Sequence, residues 1–152
     1  MNNLLIVWNP SDNLGIPIID EQHRGIVATI NSLHYLHRTK RTREMLNAII
    51  NMIREYTRIH FLTEETILAE TGYPHLNAHR ELHARLISKT FIVGNDSLLM
   101  NDPVKFLDFL KDWWHNHIHG QDRLYAEHVI KAMRLGDGRP FSSGQGSADA
   151  HR

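Results

Sequence analysis

Four stretches of this 152-residue chain repeat apolar residues at spacings of three and four, and in each of them the apolar stripe is interrupted by histidine or a carboxylate. From about Asp20 the stripe reads His23, Ile26, Val27, Ile30, Leu33 and His34, and it stops at the basic run "RTKRTR". The next begins behind Thr42, a helix-capping residue, and continues through Leu46, Ile49, Ile50, Ile53, Tyr56, His60, Glu64 and Ile67 to a terminating Gly72. Pro74 suits the first turn of a third helix with the stripe Leu76, His79, His83, Leu86 and Ile87, closed by Gly94. After the loop "GNDSLLMND", the pair Asp102 and Pro103 starts a fourth, carrying Leu107, Leu110, Trp114, His117, Leu124, Tyr125 and His128. This periodicity is helical throughout.

Short connections between long amphipathic helices make neighbours antiparallel. The expected fold is therefore all-α, an up-down-up-down four-helix bundle with an irregular N-terminal arm. Residues 1–19, with Pro10, Gly15 and Pro17, read as that arm, docked through Trp8. Residues 20–135 read as the bundle, and 136–152, rich in Gly and Ser, as a flexible C-terminal tail.

The bulk properties narrow the function. Lysine plus arginine and aspartate plus glutamate number 17 each, so no net field attracts nucleic acid or an acidic membrane. Cysteine is absent, which excludes disulfides and thiolate metal sites and suits a reducing, cytoplasmic setting. No apolar run approaches a bilayer span, and the N-terminus has no basic region ahead of its short apolar run.

Against this ordinary background stand twelve histidines. Those at positions 23, 60, 79, 83 and 117, together with Glu64, sit where the surrounding apolar residues define the inside of the bundle. Each polar group buried there without a partner would cost on the order of 1–3 kcal/mol. A single core histidine is readily satisfied by a hydrogen bond; six such groups in phase on four helices call for one shared partner. A metal is that partner, because imidazole and carboxylate suit iron and a four-residue spacing lets two side chains of one helix converge. Asp122 follows His117 at a spacing of five, which on a regular α-helix turns the two side chains about 140° apart. A π-bulge between them, eased by Gly120, would bring both inward. The run "HRELH" is not a zinc peptidase motif, because Arg80 stands where the general-base glutamate must follow the first histidine.

The segments "IDEQH" (19–23), "HFLTEE" (60–65), "GYPHLNAHRELH" (72–83) and "WWHNHIHGQDRLY" (113–125) resemble, in this order, the hemerythrin family and specifically its bacterial members. The resemblance covers roughly residues 8–130. It implies a non-haem di-iron site in an antiparallel four-helix bundle that binds dioxygen reversibly. Carried over position by position, it makes His79, His83 and His117 the histidines on one iron and His23 and His60 those on the other. Glu64 and Asp122, with an oxide or hydroxide, bridge the two. Seven ligands also exceed a tetrahedral structural zinc site. Counting positions on two octahedral irons then leaves one open, on the ion of His23 and His60, where the family holds dioxygen as hydroperoxide. The implied role is an oxygen carrier or store rather than an enzyme. The alternative is an oxygen or redox sensor that signals through a protein partner not identifiable from sequence; a third possibility is a centre that consumes peroxide. Trp114 departs from the smaller aliphatic residue of relatives, which alters the oxygen pocket and its access route. His75, His115 and His119 have no ligand counterpart.

Overall fold

The computed structural model describes residues 3–136. Helices α1 (Pro17–Arg38), α2 (Arg43–Glu70) and α3 (Leu76–Met100) are followed by a composite rod: α4 (Val104–Trp113), a π-helical segment (Trp114–Gln121) and α5 (Asp122–Gly136). Each helix packs against the next and the rod closes back on α1 and α2, giving the expected four-membered bundle.

Local chemistry sets the ends of these helices. Pro17 opens α1 at its first position, three residues ahead of the start at Asp20 that the stripe suggested. The buried Asp20 carboxylate accepts from the backbone N–H of Leu14 at 2.6 Å and of Gly15 at 3.0 Å, tying the incoming chain to α1. Gly15 is in the left-handed region with φ +86, which a side chain would strain. The Thr42 hydroxyl accepts from Met45 N at the start of α2. Its other end is a Schellman closure: Tyr73 N donates to Leu68 O, Gly72 N donates to Ala69 O, and Gly72 has φ +66.

Two expectations need correction. Gly94 does not end α3; the helix runs on to Met100 and is closed by Asn101 in the left-handed conformation, φ 50. Gly94 is instead a close-packing position, since a Cβ there would sit 3.1 Å from Ile50 Cγ2 and 2.7 Å from the Arg54 guanidinium of α2. The "loop" from 94 is therefore largely the last turns of α3. Leu124 does not face inward either, being 67 % exposed, while Asp122, Tyr125 and Val129 carry the buried stripe of α5. The fourth helix starts one residue later than read, with Pro103 as its N-cap and Val104 its first residue; the Asp102 carboxylate still accepts from Val104 N at 3.0 Å.

The arm is less irregular than its prolines suggest. Asn31 of α1 accepts from Leu5 N and Ile6 N and donates to Ile6 O, holding the arm as a backbone partner would. A 3-10 turn (Pro10–Asp12) follows. Trp8 docks as expected: its ring centroid lies 5.7 Å from that of Trp114, with the Arg24 guanidinium 5.0 Å above it. All of the 136–152 tail beyond Gly136 lies outside the described residues.

The apolar interior is in two parts. A large core joins Ile26, Ile30, Leu33, Ile50, Phe106 and Leu110 with their neighbours, and a smaller one joins Leu14, Ile16, Ile19, Leu68, Tyr125 and Val129. Along α1, α2 and the rod, the polar positions His23, His60, Glu64 and Asp122 fall where one core gives way to the other. A layer of polar side chains is thus enclosed between two apolar ones.

Candidate metal centre

Every side chain of that layer is delivered by a long helix packed on its neighbours. α1 supplies His23; α2 supplies His60 and Glu64, one turn apart; α3 supplies His79 and His83, again one turn apart. The rod supplies His117 and Asp122. Here the expected bulge is present and longer than a single turn: the backbone N–H of Asp122 donates to His117 O, five residues back. The wider turn restores the phase that a spacing of five would lose.

The seven side chains meet. All are buried, from fully enclosed His23, His60 and Asp122 to His79 at 7 % exposure. Glu64 Oε2 lies 3.2 Å from His83 Nε2, 3.6 Å from His60 Nε2 and 3.7 Å from His79 Nε2. Asp122 Oδ1 lies 3.3 Å from His117 Nε2 and 3.6 Å from His79 Nε2, and its Oδ2 is 3.4 Å from His23 Nε2. The donor atoms fall into two overlapping groups, each within 4.8 Å: Glu64, His79, His83, His117 and Asp122, and His23, His60, Glu64 and Asp122. The two carboxylates belong to both.

These residues fit a metal. The Nε2 atoms of all five histidines, Glu64 Oε2 and both Asp122 oxygens are buried without a hydrogen-bond partner among the described residues. So many unsatisfied atoms aimed at one interior region would be strongly unfavourable in a metal-free native core. Donors each about 2.1 Å from a shared octahedral ion lie about 3 Å apart when adjacent, close to the separations found.

The electrostatics agree. Burial pushes His23 down to about 4 and His60 down to about 3, and drives His117 lower in the same direction, with Glu64 only partly offsetting it. These imidazoles are therefore neutral at pH 7, the form that binds metal. Burial pushes the Glu64 carboxyl up, but the His60, His79 and His83 imidazoles outweigh it and hold the group well below the usual range. Asp122 goes the other way, raised by burial and by the nearby Glu64 charge. A cation between two such carboxylates removes that repulsion.

Around the layer lie groups the stripe pattern did not identify as functional. Tyr125, placed in the stripe as a core residue, donates its hydroxyl to Glu64 Oε1; burial followed by the Glu64 charge raises its pKa well above the ordinary value, so it keeps its proton. Gln22 Oε1 faces His60 Nδ1 at 3.1 Å and Glu65 Oε1 faces His83 Nδ1 at 2.9 Å. Both are sequence neighbours of inward residues, so helical phase alone points them elsewhere. Of the histidines set aside earlier, His119 Nε2 is 3.1 Å from Asp12 Oδ1 and its ring packs 5.0 Å from Trp114. His75 packs on Tyr73, and His115 is exposed.

Trp114 is buried with its ring edge-on to His23 at 6.4 Å, so the indole, backed by Trp8 and His119, roofs the His23 side. On the opposite side, the groove between α3 and the rod holds two cavities of about 260 and 380 Å³ that share Leu82 and Gln121 and reach His117 and His79 respectively.

The comparisons with known proteins agree with this architecture. Residues 14–129 match the family model of the hemerythrin HHE cation binding domain. A bacteriohemerythrin of Stenotrophomonas maltophilia is 35 % identical over 131 residues, covering 82 % of each chain. One from Pseudomonas aeruginosa is 34 % identical with 84 % of each chain covered, and one from Clostridium acetobutylicum is 31 % identical over 81 % of this chain and all of its own. The crystal structure of wild-type hemerythrin superposes with a TM-score of 0.73 at 25 % identity, over 82 % of this chain and 98 % of that one. No described helix is long and apolar enough to cross a membrane. With the family model spanning most of the bundle and relatives above 30 % identity along most of their length, the chain belongs to the hemerythrin family.

Proposed function

We propose that this protein binds dioxygen reversibly at two non-haem iron ions, as a carrier or store. His79, His83 and His117 hold one ion, His23 and His60 the other, and Glu64 and Asp122 bridge them. The supporting observation is the pair of overlapping donor groups that share those two carboxylates and nothing else. When bound, a ferrous pair supplies the two electrons that dioxygen takes up on binding and gives back on leaving. Five imidazoles and two carboxylates add little negative charge, which favours the ferrous state over the higher oxidation states that carboxylate-rich di-iron sites support.

The chain's own residues do the rest. The two apolar cores exclude water on either side of the layer, which limits loss of the electrons to solvent-assisted oxidation. Tyr125 holds one oxygen of Glu64, fixing the carboxylate so that its other oxygen stays turned to the imidazoles. Phe61 stacks on His83 with centroids 3.7 Å apart, and Trp113 stacks on His117 at 6.2 Å, so the ligand rings have little freedom to turn. Ligand histidines packed this firmly suit reversible binding with little rearrangement.

The test is anaerobic reconstitution with ferrous iron, metal analysis, and visible spectra before oxygen, after it, and after its removal. Two irons per chain and a spectrum that appears and disappears support the reading; one ion or none defeats it. Alanine at His79 or Glu64 should abolish binding, whereas His119→Ala should not. Rapid oxidation with no stable oxygenated spectrum would indicate a sensor or a peroxide-consuming centre instead.

A further inference from the structure

The five inward imidazoles are distinguished by what holds their outer nitrogens. His83 Nδ1 lies 2.9 Å from Glu65 Oε1, a carboxylate whose other oxygen is 3.4 Å from Arg80 Nε at the surface. His60 Nδ1 lies 3.1 Å from Gln22 Oε1, a neutral amide. The amide's direction is set by its neighbour. Thr63 donates its hydroxyl proton to Ile59 O, so toward Gln22 it accepts, taking the Nε2–H at 3.0 Å and leaving the oxygen for His60. The Nδ1 atoms of His23 and His117 have no hydrogen-bond partner among the described residues. One donor group is therefore backed by an anion and the other by a neutral dipole.

We infer that Glu65 widens the inequality that three imidazoles against two already set between the metal positions, strengthening the one formed by His79, His83 and His117 and making its ion the first to be oxidised. This rests on the di-iron reading above. A ring N–H shared with a carboxylate leaves more electron density on the opposite nitrogen than one shared with an amide. His83 Nε2 is thus a stronger donor than His60 Nε2, and a stronger donor favours the more highly charged ion. In the one-electron oxidation an electron passes to an external oxidant such as ferricyanide; no bond breaks, and the proton stays between His83 Nδ1 and Glu65. Gln22 and Glu65 occupy equivalent places behind their two imidazoles and differ chiefly in charge.

That difference can be exchanged without changing shape. Glu65→Gln keeps a hydrogen-bond acceptor and removes the charge, and Gln22→Glu installs a charge behind His60. The proteins are loaded with iron-57, competed with a ferrous chelator, and examined by Mössbauer spectroscopy before and after one equivalent of ferricyanide. E65Q should release one of its two ions roughly 10- to 100-fold more readily while holding the other as wild type does. The released ion should be the one lost in His117→Ala, and the ferric signal after one equivalent should no longer fall wholly on that position. Q22E should tighten the position lost in His23→Ala. Equal weakening of both positions in E65Q, no weakening, or release of the position lost in His23→Ala would overturn the inference. So would a Q22E protein with unchanged affinities, which keeps the question decidable if E65Q fails to fold. A wild-type protein that binds fewer than two ions shows itself before any variant is made, and it defeats the di-iron reading together with this one.

Discussion

The backbone N–H of Asp122 donates to the carbonyl of His117, a step of five residues inside a chain segment that is otherwise one continuous rod. That wide step has two effects. It brings both side chains to the same interior point, and it shifts the inward stripe beyond it to Tyr125 and Val129, leaving Leu124 in solvent.

Adding one residue to the π-helical segment should therefore uncouple folding from metal binding. Inserting an alanine after Gly120 adds one helical step and swings Asp122 off the layer by about 100°. The expected result is near-wild-type far-ultraviolet circular dichroism with iron binding reduced to one ion or none. Gly120→Ala is the control: a Cβ there meets nothing within 4 Å. It should retain both ions and gain about 0.5–1 kcal/mol from helix propensity.

Tyr125→Phe leaves the ring in its core and removes only the hydroxyl that Glu64 accepts. Loss of a buried hydrogen bond to a charged group should lower the urea-unfolding free energy of the apoprotein by about 1–3 kcal/mol. In the iron-loaded protein it should also shift the visible spectrum, because the carboxylate is freer to change its orientation. An unchanged spectrum with an unchanged midpoint would show that the hydroxyl does not position Glu64.

Trp114 is large, buried and edge-on to His23, so its truncation acts on packing and on access together. Trp114→Ala should destabilise the fold by about 3–5 kcal/mol. Trp114→Leu, which restores an aliphatic side chain, should cost less while still opening the roof over His23. Its oxygenated form should oxidise faster than the wild type's, measured as decay of the oxygenated spectrum. An identical rate in both would mean that the indole does not guard that side.

Acid should destabilise the metal-free protein in a definite window. His23 is pushed down to about 4 and His60 down to about 3 from 6.5, and His117 is lowered as well. The unfolded chain therefore takes up protons near pH 6.5 that the folded chain refuses until well below it. Stability is full above pH 6.5 and declines as the pH falls toward 4, by up to about 1.4 kcal/mol per pH unit for each such group. Denaturant midpoints of the apoprotein between pH 7 and pH 4 check this. Bound metal should move the decline to lower pH, because ligation further disfavours the protonated imidazoles.

Much of this protein was legible in one dimension because its instructions are local. Apolar residues at helical spacing mark which face of each segment is buried, and a histidine on that face is buried with it. His23, His60, Glu64, His79, His83 and His117 could thus be located from phase alone, and the spacing from His117 to Asp122 announced a defect in the helix that the backbone contains. The family resemblance then sorted them into two sets, and the donor groups divide along the same line. What phase cannot express is anything that depends on the distance between helices. Gly94 looked like a terminator because glycine ends helices, yet here it is the place where α3 comes close to α2. Gln22 and Glu65 flank inward residues and by phase should point aside, yet each reaches an imidazole of another helix or turn once the bundle closes. Tyr125 was recognisable as core, but its hydroxyl's partner lies on α2, 61 residues away. Burial is a property of a residue and its near neighbours, so sequence carries it; pairing is a property of two surfaces brought into contact, and only the folded bundle determines which atoms meet.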